Sequence, residues 1–262
     1  MSRVIVIIQA RMGSLRLPGK VMEDISGRPL LARVLDRAKL IRGVDRVIVA
    51  TTNEDRDQVL LELARRCVVE GFAGSRDDVL DRFYQAARAW CGRVVVRLTA
   101  DCPLLDPEIS SLVIEEFLRG GFDYVSNVHP PTFPDGLDTE VFSFQALERA
   151  WKEAALPSER EHVTPFLWKF PERFRLGTVQ HRRDLSSYRW TVDRVEDLTF
   201  VRAVYDRLGH AGPAFGMSQI LALLSNQPQL EALNRGITRD EGYLQSILQE
   251  QETGLNEDSV SK

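Results

Sequence analysis

Arg11, Arg16 and Lys20 fall close together in VIVIIQARMGSLRLPGKVM (4–22), where an apolar run stops and Gly13, Pro18 and Gly19 punctuate the loop beyond it. Cations on a glycine- and proline-shaped loop with free backbone N–H groups can enclose a polyphosphate. The two common phosphate motifs do not apply. No GxGxxG succeeds the apolar run, and Gly13 and Gly19 enclose five residues where a Walker A loop has four, with Val21 in place of its magnesium-binding hydroxyl. By its chemistry alone the loop reads equally as an anion site or as solvated surface charge.

Carboxylates supply the second candidate group. Asp101 follows the apolar run RVVVRLT (93–99), and Asp106 with Pro107 already provides the N-cap and first turn of the next helix, which leaves Asp101 for chemistry. Asp193 opens DRVE (193–196), a capping box with Glu196 at its third position, so by its own pattern it reads as an N-cap. Magnesium suits a site of one or two carboxylates completed by phosphate oxygens and water. Zinc does not, because His129, His162, His181 and His210 lack zinc-ligand spacing.

A third polar group lies in 129–162, with Asp135, Asp138, Glu140, Arg160 and His162. Such side chains can hold a polar ligand, and the guanidinium fork of Arg160 matches a carboxylate. Local structure competes for the same residues: Asp135-Gly136 signals a turn, and Ser158 with Glu161 reads as a capping box that makes Glu161 structural. Ser75 and Arg76 precede a helix and can approach a base, but Ser75 to Asp78 also reads as a cap.

These residues need a scaffold. Strand candidates at 4–9, 46–51, 68–72 and 93–99 alternate with helical patterns at 29–41, 55–66 and 77–90, which predicts an α/β fold with a parallel sheet between helical layers. Ligands bind beyond the carboxyl ends of such strands, so the cationic loop and TADCPLLDP (99–107) should share one cleft. The spacing further predicts a helix over 107–119, a strand at 122–126, a Pro-rich excursion at 129–144, helices near 145–155 and 159–169, a strand near 174–180 and a helix over 196–208. Residues 213–250 read as further helices.

With 262 residues, 44% of them hydrophobic, the chain can bury a full core. A net charge of -4 gives no general attraction to nucleic acid, and no apolar run nears the roughly 18 residues of a membrane span. The opening residues lack a signal-peptide pattern, and the cysteines, Cys67, Cys91 and Cys102, are odd in number and widely spaced. Reduced thiols and a cytoplasmic location are the expectation.

IIQARMGSLRLPGKVM resembles the nucleotide-binding loop of sugar cytidylyltransferases, the group that includes the synthetases of CMP-activated ulosonic and sialic acids, and above all their SpsF-like spore-coat polysaccharide branch. The similarity continues through SRDDVLDRFYQAA, RLTADCPLLDPE, DYVSNVHPPTFPDGLDTEVFSFQALERAW, SEREHVTPFLW and RWTVDRVEDLTFVRAVY. It implies a three-layer, Rossmann-like nucleotide-diphospho-sugar transferase fold with a mostly parallel central sheet in residues 1–210. A helical extension (211–251) without assigned role and a frayed tail (252–262) complete the chain. By position the resemblance makes Arg11, Arg16 and Lys20 triphosphate ligands, with Gln9, Ala10, Met12, Gly13, Ser75, Arg76, Thr99 and Asp101 completing the nucleotide site. Arg11, Lys20 and Asp101 are then catalytic, Asp101 and Asp193 hold Mg2+, and Asp138, Glu140, Arg160 and His162 bind the acceptor. CTP and a sugar acid are the implied substrates, and a homodimer with 129–144 at its interface the implied assembly. Leu15 departs from the small polar residue usual in relatives. A different nucleotide, a sugar-phosphate or alcohol acceptor, or a non-catalytic nucleotide-binding module are the alternatives.

Overall fold

Buried on both faces, β-branched runs fold as central strands, and the computed structural model, which describes residues 3–209 and 215–254, shows the alternation expected of the first half. In chain order come β1 (Val4–Gln9), β2 (Asp24–Ile25), β3 (Arg28–Pro29), α1 (Leu30–Ala38), β4 (Arg46–Thr52), α2 (Gln58–Arg66), β5 (Glu70–Gly74), α3 (Val79–Ala89), β6 (Val94–Thr99) and α4 (Pro107–Leu118). The second half adds β7 (Tyr124–Ser126), β8 (Glu140–Ser143), α5 (Phe144–Glu153), α6 (Pro157–His162), α7 (Pro165–Trp168), β9 (Leu176–Thr178), α8 (Val195–Leu208), α9 (Met217–Asn226) and α10 (Glu241–Glu252).

Seven strands form one sheet in the order β5-β4-β1-β6-β8-β7-β9, in which β8 alone runs against the others. Val4, Val6 and Ile8 of β1 point into a core shared with α1, α2, α4, α8 and α9, while Ile5 and Ile7 point into a second core with α3 and α5. The period of two along one strand thus builds three layers. Among the described residues no helix is long and apolar enough to cross a membrane.

Several expected elements shift. The strand read at 68–72 starts two residues later, because Val68 lies in a left-handed turn (φ 57°) with its side chain 88% exposed. The helix read at 159–169 is two, broken at Val163 (φ 72°) ahead of Pro165, which opens α7. The Pro-rich excursion is largely interior: Phe133, Leu137, Val141 and Phe142 are buried core, and the excursion contains β8. Gly136 lets it pass the strand-like segment at 189: its φ is 103°, and a Cβ there would stand 2.6 Å from the Trp190 carbonyl carbon. Glu252 still belongs to α10, while the boundary at 210–211 and the tail from 255 lie outside the described residues.

Candidate active site

The loop after β1 is closed by a backbone hydrogen bond from Gly19 N to Met12 O (2.9 Å), possible because Gly19 adopts φ 73°. Buried Asp57 fixes its other end, accepting from Met12 N at 2.7 Å. The turn delivers Lys20 inward. Its ammonium donates to Asp101 Oδ2 (2.8 Å), Asp193 Oδ1 (2.7 Å) and Val192 O (2.7 Å), so three acceptors saturate a buried cation. Burial by itself lowers the Lys20 pKa, but the two carboxylates outweigh it and leave it above the ordinary value. For Asp101 and Asp193 burial works upward, and Lys20 overrides it to hold both below the usual carboxylate range.

Arg16 joins this cluster through Asp193 Oδ1 at 2.9 Å, and Arg11 lines the cleft with Glu161 at 3.9 Å as its ion-pair partner among the described residues. Gln9, Ala10, Thr99 and Asp101 also line the cleft, whose volume is about 420 Å³. Met12 and Gly13 do not line it, and Met12 serves the loop through its backbone bond with Gly19. Leu15 is 92% exposed at its tip. Asp101 and Asp193 converge on one cationic centre, the arrangement magnesium needs when phosphate and water complete its shell. Among the described residues no cluster of three metal-ligating side chains exists, so a protein cage is absent while the paired-carboxylate arrangement fits.

Asp193 is not the cap of α8. Arg194 is the N-cap residue, and Asp197 in the first turn closes the helix end, its Oδ2 accepting from Asp193 N (2.9 Å) and Arg194 N (3.0 Å), while Glu196 is exposed. DRVED offers adjacent acids, and the helix begins one residue later than its first acid suggests. Both Asp193 oxygens are therefore left for cations, with Arg189 at 3.1 Å on the second.

Of the residues expected to bind an acceptor, Asp138, Glu140 and His162 line the cleft, but Arg160 does not. Its guanidinium binds Asp78 and the Trp151 carbonyl, tying α6 to the start of α3. Arg76 likewise pairs with Glu54 (3.0 Å), and Ser75 accepts from Asp78 N (3.1 Å) while Asp78 caps α3. Neither reaches the cleft. Glu161 does: the true box of α6 uses Glu159, which accepts from Ala155 and Leu156 N at 3.2 Å, and so frees Glu161 to face Arg11.

Arg82, Arg97 and Arg189 are the cleft cations that sequence reasoning missed. Arg97 interrupts the otherwise apolar β6, a signal that was readable, and pairs with Glu140, which also accepts from Tyr124 and Thr164 hydroxyls at 2.7 Å. Arg82 is buried with no carboxylate within ion-pair distance among the described residues, and burial together with Arg11 pushes its pKa down to about 10. Burial raises Asp138 to about 6 despite Arg239 beside it, and keeps the His162 pKa down to about 4. The Cys102 thiol is pushed well above its ordinary value, first by burial, which disfavours the thiolate.

The profile of the cytidylyltransferase family matches residues 5–226. The spore coat polysaccharide biosynthesis protein SpsF of Bacillus subtilis is 32% identical over 87% of this chain and 96% of its own length. A 3-deoxy-manno-octulosonate cytidylyltransferase of Anaeromyxobacter sp. (strain K) is 40% identical over half of this chain and 53% of its own. A cytidylyltransferase structure from Leptospira borgpetersenii aligns with a TM-score of 0.86 at 32% identity, covering 91% of this chain and all of that one. Similarity that runs from β1 to the end of α9 is shared domain architecture, not a shared loop, and the chain belongs to the cytidylyltransferase family.

Proposed function

We propose that this nucleotidyltransferase moves CMP from CTP to a sugar acid of the ulosonic or nonulosonic type, in cytoplasmic biosynthesis of a cell-surface or spore-coat polysaccharide. The observation that carries the reading is Lys20, held between Asp101 and Asp193 at the end of the phosphate loop. In the reaction an acceptor hydroxyl loses its proton and its oxygen bonds to the α-phosphorus. The bond from that phosphorus to the bridging oxygen breaks, and pyrophosphate leaves with the electron pair. Arg11, Arg16 and Lys20 neutralise the phosphate charge and Asp138 and Glu140 orient hydroxyls, so positioning and electrostatics do the chemistry. Mg2+ held by Asp101 and Asp193 would screen the triphosphate. The acceptor class is supported by the activity for which the Anaeromyxobacter relative is named and by the polar wall opposite the loop.

Thermal midpoints measured with each nucleoside triphosphate and magnesium should rise most with CTP, since a ligand bound to the folded state alone stabilises it by RT ln(1 + [L]/Kd). Equal rises for all four would remove the cytidylyl assignment. Pyrophosphate release with sugar acids, a sugar phosphate and a simple alcohol then identifies the acceptor class. A homodimer is proposed on the resemblance alone; since most of 133–142 is buried within the chain, only the exposed start of the excursion near His129 is available to a partner. Light scattering at micromolar concentration should return a dimer mass, and a monomer mass would remove this proposal.

A further inference from the structure

The chain beyond residue 226 lies outside the stretch matched by the family profile, yet its last described helix forms one wall of the cleft. The docking of α10 is polar and directional. Glu250 accepts from Ser158 N (2.5 Å) and Ser158 Oγ (3.0 Å), and Ser246 Oγ pairs with His162 Nε2 and Glu161 Oε2, each at 3.0 Å. Just before the helix, Arg239 reaches Asp138 Oδ1 at 2.5 Å. At its start Glu241 accepts from Arg194 at 2.9 and 3.0 Å. These anchors fall on α6, the excursion and the residue that caps α8, so the segment spans the cleft from one side to the other. Glu241 lies 4.0 Å from Arg16 of the cationic loop.

Its contribution to the acceptor side is aromatic. The Tyr243 ring meets His162 edge-on at 5.2 Å and Trp168 at 5.8 Å, and Trp168 lies 4.4 Å from His129. All four rings line the cleft, beside Asp138 and Glu140. A sugar presents C–H bonds on one face of its ring and hydroxyls around the rim, so an aromatic corner next to fixed carboxylates matches both surfaces. His162 supports this role, since burial keeps it neutral and its ring remains an apolar face.

We infer that the C-terminal segment completes the acceptor subsite, with Tyr243 a specificity-determining residue that supplies aromatic surface to the sugar ring. The inference rests on the reading of the protein as a sugar-acid cytidylyltransferase. An aromatic contact of this kind is worth about five- to tenfold in acceptor affinity.

The test compares full-length wild type, Tyr243→Ala and Tyr243→Phe. Saturation-transfer NMR, irradiating aromatic protons, is run with 3-deoxy-manno-octulosonate, N-acetylneuraminate, a neutral hexose and a hexose phosphate, each with and without CTP and magnesium. Sugar ring protons should receive saturation from wild type and Tyr243→Phe and clearly less in Tyr243→Ala, where Trp168, His162 and His129 still line the corner, while the midpoint rise with magnesium and CTP stays equal in all three. The acceptor KM should rise about five- to tenfold in Tyr243→Ala with kcat little changed. Undiminished saturation in Tyr243→Ala, or none for any probe in wild type, overturns the inference. Failure of the functional reading looks different: no pyrophosphate is released with any probe, whether or not Tyr243-dependent saturation is seen. A thermal midpoint for each variant separates lost contact from lost folding.

Discussion

At the scale of single residues, Lys20 and its two aspartates decide how the site behaves. A buried ammonium with two carboxylates at 2.7 and 2.8 Å offsets its desolvation only while all three charges are present. Asp101→Asn and Asp193→Asn keep the side-chain shape and remove one negative charge each. Because the end of α8 is closed by Asp197, the Asp193 variant leaves the helix end intact, and any fall in its midpoint reports the broken pairs with Lys20, Arg16 and Arg189. Both variants should lose pyrophosphate release by at least about a hundredfold. Electron paramagnetic resonance of Mn2+ with CTP should show bound metal in wild type and a strongly weakened signal in each variant; full metal binding and activity in Asp193→Asn would leave a one-carboxylate site. Their acid limbs differ as well. The Asp193 pKa is depressed in the folded state, so its stabilising contribution is present above the unfolded value near 3.8 and is lost as pH falls below it. The midpoint of Asp193→Asn should therefore fall less steeply than that of wild type in that range.

Among the elements, α10 rests partly on a histidine whose charge state the fold controls. His162 pairs with Ser246 and Tyr243 of α10, and its pKa is pushed from 6.5 down to about 4, first by burial, with Arg97 also lowering it and Glu161, Asp240 and Glu140 opposing. The fold thus favours the neutral ring: its stabilisation is complete above about pH 6.5 and is lost as pH falls toward 4, an effect on the order of 3 kcal/mol at most. His129 is shifted in the same direction, so the difference between wild type and His162→Gln isolates the contribution. Chemical denaturation at pH 7 and pH 4.5 should show a smaller loss of stability in the variant; equal losses would remove His162 as the cause. This element also marks where local reading stops. β1, β4, β6 and α3 were legible because burial on fixed faces writes an unbroken periodicity into adjacent residues. Four-residue β8 lies inside a Pro-rich stretch and carries no such run, and the break between α6 and α7 depends on Pro165 and one left-handed residue. Nothing in residues 239–249 announces that they close a cleft formed by β1, β6 and α6.

Across the whole molecule, the site was readable where neighbours in sequence share a strand end, as with Gln9 to Lys20 and Thr99 to Asp101, and unreadable where distant segments choose between similar side chains. Arg160 and Arg97 are both plausible carboxylate partners by type, but docking of α6 on α3 commits the first to Asp78, while the position of Arg97 in β6 aims the second into the cleft. The same long-range placement sets the electrostatics. Among the described residues, eight Asp or Glu and six Arg or Lys line the cleft, in a chain whose net charge is already -4. Raised Asp135 and Asp138 pKa values reduce that excess near neutral pH but do not turn it into a positive pocket. A metal-free triphosphate therefore enters a cleft that repels part of its charge, and its hold depends on displacing contacts that already bind Lys20 and Arg16 to Asp193. Asp101 and Asp193, once given up by those side chains, would be free to hold a divalent cation, which would remove this conflict. Calorimetric titration of CTP should accordingly show weak binding in EDTA and at least about tenfold tighter binding with magnesium, with the gain shrinking in Asp101→Asn. Added monovalent salt screens exposed charge within a Debye length of about 10 Å at 0.1 M, so it should ease the repulsion without reproducing the magnesium gain. Equal affinity with and without magnesium would mean that Arg11, Arg82 and the loop backbone hold the nucleotide unaided, and that the paired aspartates serve only to position Lys20.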